Sequence, residues 1–327
     1  MTILKVGLAG FGTVGGGTWK VCKENTSEIL RRSGKEIRIV AIAEPDQKKL
    51  SKISSNGFQY FNDAIDMLDQ SEVDVIVELI GGESFSKEFV LKSLKKGKHV
   101  VTANKALLAK HGEEIFKTAE ENNVCIGFEA AVAGGIPILK VIREGLAANN
   151  IEFVAGIING TSNYIITEME KRGIPFEEAL SEAQELGFAE ADPSLDIDGY
   201  DAAHKIVLLA SMSFGAKVNF DDLSIQGIRK LDLRDVNYAK KLGYRIKSLG
   251  IARKINQGLE VSVESILIPS DSLMSNVNGA MNAVLVKGNS VGSTIYYGQG
   301  AGAEPTASAV VADLVEISRN LNVEKSS

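Results

Sequence analysis

Cysteine is scarce in this sequence: Cys22 and Cys125 are the two among 327 residues, far apart and with no CxxC or Cys/His pattern around them. That argues against a disulfide framework and against a structural zinc site, and it suits a reducing compartment. Excess positive charge is also lacking. The 36 Lys and Arg are outnumbered by 42 Asp and Glu, for a formal net charge of -6. Nucleic acid and anionic membranes both need a basic face, so neither is an expected partner. No run of about 18 apolar residues occurs, and the N-terminus has no basic stretch leading into a cleavable apolar one. The expectation is a cytoplasmic protein with no membrane partner, acting on small molecules.

What is present is an ordinary globular composition, 44% hydrophobic and 24% charged, in a chain long enough for two domains. Residues 4–9 form a short apolar run ending in glycines. A helical stretch to Arg32 and a β-branched run at 37–43 follow. The alternation continues with strands at 73–80, 99–102 and 124–128 and helices at 86–96 and 106–122. Repeated βα units with apolar strands imply an α/β fold with a Rossmann-type, doubly wound parallel sheet covered on both faces. Beyond Ala133 the pattern changes. Gly134, Gly135 and Pro137 punctuate the chain, and a helix to Leu146, a strand at 153–158, helices at 176–186 and 200–214 and strand-like runs at 259–268 and 283–286 suggest a second, α+β domain. The boundary is placed near residue 130. A last helix at 305–320 follows a Gly-rich turn at 298–302, and the tail 323–327 is expected to fray.

Gly10-Phe11-Gly12-Thr13-Val14-Gly15 is a full GxGxxG between a predicted strand and a predicted helix, the context the motif requires for binding a dinucleotide. Gly10 permits the tight turn, Gly12 the approach of the pyrophosphate, and Gly15 close helix–strand packing, while N–H groups at the helix start hold the anion. Gly16 and Gly17 exceed what the motif asks for. Glu44 ends the second strand, where an acid accepts the ribose 2′-hydroxyl; it comes later than the usual spacing, which a long first helix would explain. Lys48 and Lys49 follow it, suited either to a 2′-phosphate or to plain solvation.

The segment 187–205, GFAEADPSLDIDGYDAAHK, packs five acids and a lysine into the approach to a helix. Asp201 and Lys205 are four apart and share a helix face, so the carboxylate can hold the ammonium. A solvated surface pair is the bland alternative. Lysine suits alcohol oxidation, because the hydroxyl proton must leave as hydride departs, and arginine cannot serve as that base. A second lysine, Lys105, follows Thr102-Ala103-Asn104 at the carboxyl end of a predicted parallel strand, the edge where such sheets bind ligands. His204 is read as packing. A semialdehyde dehydrogenase working through a thiol would need a cysteine near the nicotinamide, and neither Cys22 nor Cys125 is well placed. A dehydrogenase of another small amino acid and a non-catalytic dinucleotide-binding protein are the remaining alternatives.

Four motifs, GLAGFGTVG, VVTANKALL, NGTSNYI from Asn159 and GFAEADPSLDIDGYDAAHK, give the chain a resemblance to the homoserine dehydrogenase family, extending to GQGAGAEPTASAVVADL near the end. The resemblance implies a reversible NAD(P)-dependent oxidation of L-homoserine to L-aspartate 4-semialdehyde, on the route to threonine and methionine. It implies Lys205 as the acid/base, Lys105 as a second lysine beside nicotinamide and substrate, and Glu190, Asp196 and Asp201 as residues that bind or orient homoserine, with Asn159, Gly160 and Thr161 alongside. Thr102, Asn104, Gly302 and Glu304 would join the glycine loop and Glu44 on the cofactor. Gly302 would thereby bring the last helix into the first domain, giving 1–130 plus 301–327 for the nucleotide and 131–300 for substrate and dimerisation. Members of the family are dimers paired through a sheet of the second domain, and they hold a monovalent cation such as sodium, here implied at Glu129 with backbone at Val132, Gly134 and Ile136. The short stretch after the last helix resembles the form lacking an appended regulatory domain.

Overall fold

The computed structural model describes residues 3–50, 53, 57–256 and 258–323, so the tail expected to fray lies, past Val323, outside the described residues. The chain divides into two compact units, Met1–Gly135 with Gly302–Ser327, and Ile136–Ala301.

In the first unit six strands form one sheet: β1 (Ile3–Ala9), β2 (Glu36–Ala43), β3 (Gln59–Phe61), β4 (Val75–Glu78), β5 (His99–Thr102) and β6 (Ile126–Gly127). All neighbours are parallel, in the order β3-β2-β1-β4-β5-β6. Strand order reverses between β1 and β4, and the crevice outside their carboxyl ends is where a sheet of this kind takes its ligand. The strands are apolar because both faces are covered. Val6, Leu8, Val75, Val77 and Val101 are buried in one cluster with Val310, Leu314 and Ile317 of the helix Ala303–Val323. Asn25 divides the single helix expected after the glycine loop into Thr13–Glu24 and Thr26–Ser33. The second of these supplies the extra length that delays Glu44.

The second unit has a six-stranded mixed sheet of β7 (Ile151–Ile157), β8 (Ser224–Ile225), β9 (Tyr244–Ile255), β10 (Gly258–Pro269), β11 (Met281–Gly288) and β12 (Gly292–Gln299), in the order β12-β11-β7-β9-β10-β8. Its pairs are antiparallel except β8 with β10. The helices Gly160–Arg172 and Tyr200–Phe214 pack on it. Strand residues alternate in direction. Gly250 lies against Ile206 of the helix Tyr200–Phe214, whereas Phe153, Ile251, Ile266, Leu285 and Ile295 gather in a separate apolar cluster and remain only partly buried. The helix expected up to Leu146 is a short α turn, Ile138–Lys140, running into a π turn, Val141–Gly145.

Candidate active site

The loop between β1 and the helix Thr13–Glu24 is built by glycine. Gly10 has φ +92, and a Cβ there would lie 2.6 Å from the Leu79 carbonyl oxygen. A Cβ on Gly15 would collide with the Gly10 carbonyl, so the helix seats directly on the turn. Gly17 has a cause the motif does not contain: its Cβ would stand 2.5 Å from the carbonyl oxygen of Ala303, at the start of the last helix of the same unit. Gly12 has open space at its Cβ position. The helix carries no acid in its first turn and no side-chain cap, which leaves its terminal N–H groups and dipole to an anion. Phe11, Gly12, Thr13, Gly16, Lys48 and Lys49 border a cleft of about 840 Å³. These residues fit a dinucleotide pyrophosphate.

Glu44 is buried at the end of β2 and braces this loop. Its Oε2 accepts from the Phe11 N–H at 2.8 Å, and its Oε1 accepts from the Asp46 N–H at 3.0 Å and from Lys49 Nζ at 3.1 Å. Burial pushes the carboxyl upward, but the Phe11 and Asp46 donors together with Lys49 outweigh it and hold the pKa below the ordinary value. Thr102 ends β5, Asn104 caps the next helix by accepting from the Leu107 N–H at 3.1 Å, and Lys105 is that helix's first, half-buried residue. Gly302 has φ +117. Glu304 forms an exposed ion pair with Lys20 at 2.6 Å.

In the second unit the acid-rich segment is sorted by geometry. Asp192 accepts from the N–H and hydroxyl of Ser194 at 3.1 and 2.6 Å, and Asp198 takes both ends of the Arg229 guanidinium at 2.7 and 2.8 Å. The other two aspartates converge. Asn159 Nδ2 donates to Asp196 Oδ1 at 2.7 Å and to Asp201 Oδ2 at 2.8 Å, and Lys205 Nζ donates to Asp201 Oδ2 at 2.6 Å and to the Ile158 carbonyl at 2.7 Å. Burial first, then the neighbouring Asp201, pushes the Asp196 carboxyl upward, against the Asn159 and Lys205 contributions. Asn159 also caps the helix Gly160–Arg172, its Oδ1 accepting from the Ser162 N–H at 2.8 Å, and Thr161 donates to the Phe188 carbonyl at 2.6 Å. The amide of Asn159 is thus spent on protein partners. Glu190 is exposed, with its carbonyl accepting from Gln184 Nε2 at 3.1 Å.

Sequence reasoning missed two groups. Glu78, fully buried at the carboxyl end of β4, has no motif around it; an acid closing an apolar strand at the ligand edge is the signal that could have found it. Lys247, fully buried in β9, donates to Val277 O at 2.5 Å, Asn163 Oδ1 at 3.2 Å and Asn278 Oδ1 at 3.3 Å. His204 stacks on Phe220 with ring centroids 4.5 Å apart, as a packing residue does. Burial pushes the Cys22 thiol up to about 12, which leaves it unsuited to nucleophilic catalysis.

The sequence profile "Homoserine dehydrogenase, NAD binding domain" matches residues 10–129, and the profile "Homoserine dehydrogenase" matches residues 137–315. The homoserine dehydrogenase of Pseudomonas aeruginosa is 55% identical over 98% of this chain and 73% of its own length, and that of Neisseria gonorrhoeae is 53% identical over the same shares. Among solved structures, a homoserine dehydrogenase from Thiobacillus denitrificans superposes with a TM-score of 0.96 at 53% identity, covering 99% of this chain and 75% of that one. A hyperthermophilic archaeal homoserine dehydrogenase in complex with NADPH gives 0.82 at 27% identity, covering 98% of each chain.

A six-stranded parallel sheet in the dinucleotide-binding order, with a glycine loop open to an anion, defines a dinucleotide-binding domain, and the profile matched over residues 10–129 makes it the NAD-binding domain of an oxidoreductase. The matched spans run through both units and take in the stretch that carries Lys205 and Asp201. The chain belongs to the homoserine dehydrogenase family.

Proposed function

We propose that the reversible interconversion of L-homoserine and L-aspartate 4-semialdehyde by this chain uses Lys205 as its acid/base. The observation that carries this reading is the placement of Lys205 Nζ, held at 2.6 Å by Asp201 and at 2.7 Å by the Ile158 carbonyl. In the oxidative direction an unprotonated Lys205 accepts the substrate's hydroxyl proton as hydride leaves the carbinol carbon. A bound nicotinamide supplies the hydride acceptor. In the reductive direction Lys205 returns the proton to the oxygen. Asp201 fixes the amine in place in both directions.

Asp196 and Asp201 with a single ammonium leave the cluster short of positive charge, which the substrate's own ammonium would supply by charge-assisted hydrogen bonds. Glu190 and the backbone of the turn at Asn159, Gly160 and Thr161, whose Asn159 and Thr161 side chains hold protein partners, complete that side. Lys105 serves as the second lysine beside the nicotinamide, with Thr102, Asn104, Gly302 and Glu304 alongside the cofactor. Glu44 Oε2 holds one donor, Phe11, and so keeps a lone pair that a ribose hydroxyl can use.

A monovalent cation would sit at Glu129 with carbonyls of Val132, Gly134 and Ile136. Supporting it, Ala133 and Gly134 are consecutive left-handed residues with φ +54 and +47, and non-glycine strain of this sort persists where a loop is held to a purpose. The partly buried apolar side chains on the second unit's sheet support a homodimer through that face. The enzyme is proposed to be cytoplasmic; among the described residues no helix is long and apolar enough to cross a membrane.

The reading is tested by absorbance of reduced nicotinamide when the protein meets L-homoserine with NAD or NADP, with sodium and potassium varied. Reduction of either cofactor is expected. Silence with both, while nucleotide binding is measurable, would refute it.

A further inference from the structure

Glu78 ends β4 at the ligand edge of the parallel sheet and is fully buried. A buried carboxylate is costly unless donors replace its lost water. Oε1 accepts from the Ile80 N–H at 2.9 Å and the Gly81 N–H at 3.2 Å, and it shares the Ser86 hydroxyl, at 3.1 Å, with the Gly81 carbonyl at 2.9 Å. Oε2 accepts from the Thr102 hydroxyl at 2.7 Å. The chain of bonds continues, for Thr102 Oγ1 accepts from the Asn104 N–H at 3.0 Å, and Asn104 Nδ2 donates to the Gly82 carbonyl at 2.6 Å. Because Gly81 and Gly82 are adjacent, these bonds close a ring that ties the loop after β4 to the loop after β5.

The ring constrains a stretch that would otherwise be loose. Gly81 and Gly82 both have positive φ, 81 and 74, and consecutive glycines give a loop the widest conformational choice. Asn104, a member of the ring, is also the N-cap of the helix Lys105–Glu121. Lys105 therefore leaves the sheet edge at a height and angle fixed by Glu78. A neutral side chain could fill the same volume, but a carboxylate draws donors from residues 80, 81, 86 and 102 at once, each with its own direction.

The geometry points to Glu78 as a positioning residue for hydride transfer: by closing the ring through Thr102 and Asn104 it sets the two loops of the cofactor edge and, with them, Lys105. This rests on the reading of Lys105 as a lysine of the reaction.

Glu78→Gln keeps the size of the side chain and an acceptor for Ile80 and Gly81, but it turns an amide N–H toward Thr102. Thr102→Val cuts the same ring from the other side, which covers the case in which one variant fails to fold. Each is expected to lower kcat about 10- to 100-fold, the scale of an ångström-sized misplacement, while KM for L-homoserine changes by less than threefold. The double variant should be no worse than the weaker single, since both break one link. In a Lys105→Met background, Glu78→Gln should cost nothing further. Wild-type kcat in Glu78→Gln, whatever its melting temperature, overturns the proposal, and so does an additive loss on top of Lys105→Met. Failure of the underlying reading is distinguishable: Lys105→Met alone would then turn over like wild type.

Discussion

Lys205 Nζ lies 2.6 Å from Asp201 Oδ2, one helical turn away on the same helix, and the two side chains are only 12% and 11% exposed. An exposed pair at this spacing would contribute a few tenths of a kcal/mol and no more. Here burial removes competing water and the Ile158 carbonyl takes a second ammonium hydrogen, so the amine has one position rather than many.

Lys205→Ala should therefore fold and bind nucleotide as wild type does, while kcat falls by about 10²- to 10⁴-fold, the range general acid–base catalysis supplies. Lys205→Arg should recover little, because guanidinium stays protonated. Steady-state turnover beside a nucleotide-binding titration separates the two effects. Wild-type turnover in either variant would remove Lys205 from the chemistry.

Asn159 makes a prediction about pH. Its amide donates to both Asp196 and Asp201, and the Asp196 carboxyl is raised by burial and by Asp201 despite that donor. Asn159→Ala withdraws a contribution that lowers the Asp196 pKa, so the carboxyl should titrate at still higher pH. Activity that needs the ionised pair would then disappear earlier as pH falls. The acid limb of the kcat/KM profile for homoserine should move upward in this variant, and an unmoved limb would mean that Asp196 ionisation does not matter to substrate capture.

Much of this was legible in the sequence where local and global signals agree. The strand His99–Thr102 and the helix Tyr200–Phe214 fall on the expected residues, because an apolar β-branched run and a helical apolar period are bounded by clear stops. The helix Gly160–Arg172 was obscured by its own beginning. Asn159, Gly160 and Ser162 look like turn residues, yet Asn159 is an N-cap and Gly160 is required because a Cβ there would lie 2.8 Å from the Ala280 carbonyl, a neighbour 120 residues on that no local pattern reveals. The four-residue spacing of Asp201 and Lys205 could be read directly. Which of the other acids join them could not, since Arg229 claims Asp198 from 31 residues away.

Glu44 links the cofactor loop to pH. Its pKa is lowered, so its contribution to stability is present above the ordinary carboxyl value and is lost as pH falls through the lower, folded one. Glu44→Gln should raise KM for the nucleotide, by disturbing the Phe11 N–H it holds, and should also flatten the acid side of the stability curve. Denaturant midpoints between about pH 3 and pH 6, a window that brackets ordinary carboxyl titration, would show the second effect. Equal acid sensitivity in variant and wild type would count against the brace.

Lys247 supplies the opposite sign. Burial pushes its ammonium down to about 8, with Arg245 and Lys171 adding to that and Glu170 opposing it. In the unfolded chain the group titrates near the ordinary lysine value of about 10.4. Between those two values the unfolded state binds a proton that the folded state does not, so stability should rise as pH climbs through that window. Lys247→Met removes this slope and with it the donor to Val277, Asn163 and Asn278. The variant should lose stability at every pH, because three buried acceptors are left with fewer donors, and the deficit relative to wild type should widen from pH 8 to pH 10. Urea midpoints measured across that interval decide the matter: parallel curves for the two proteins would mean that Lys247 keeps its proton throughout and that its three oxygen partners, rather than burial, govern its charge.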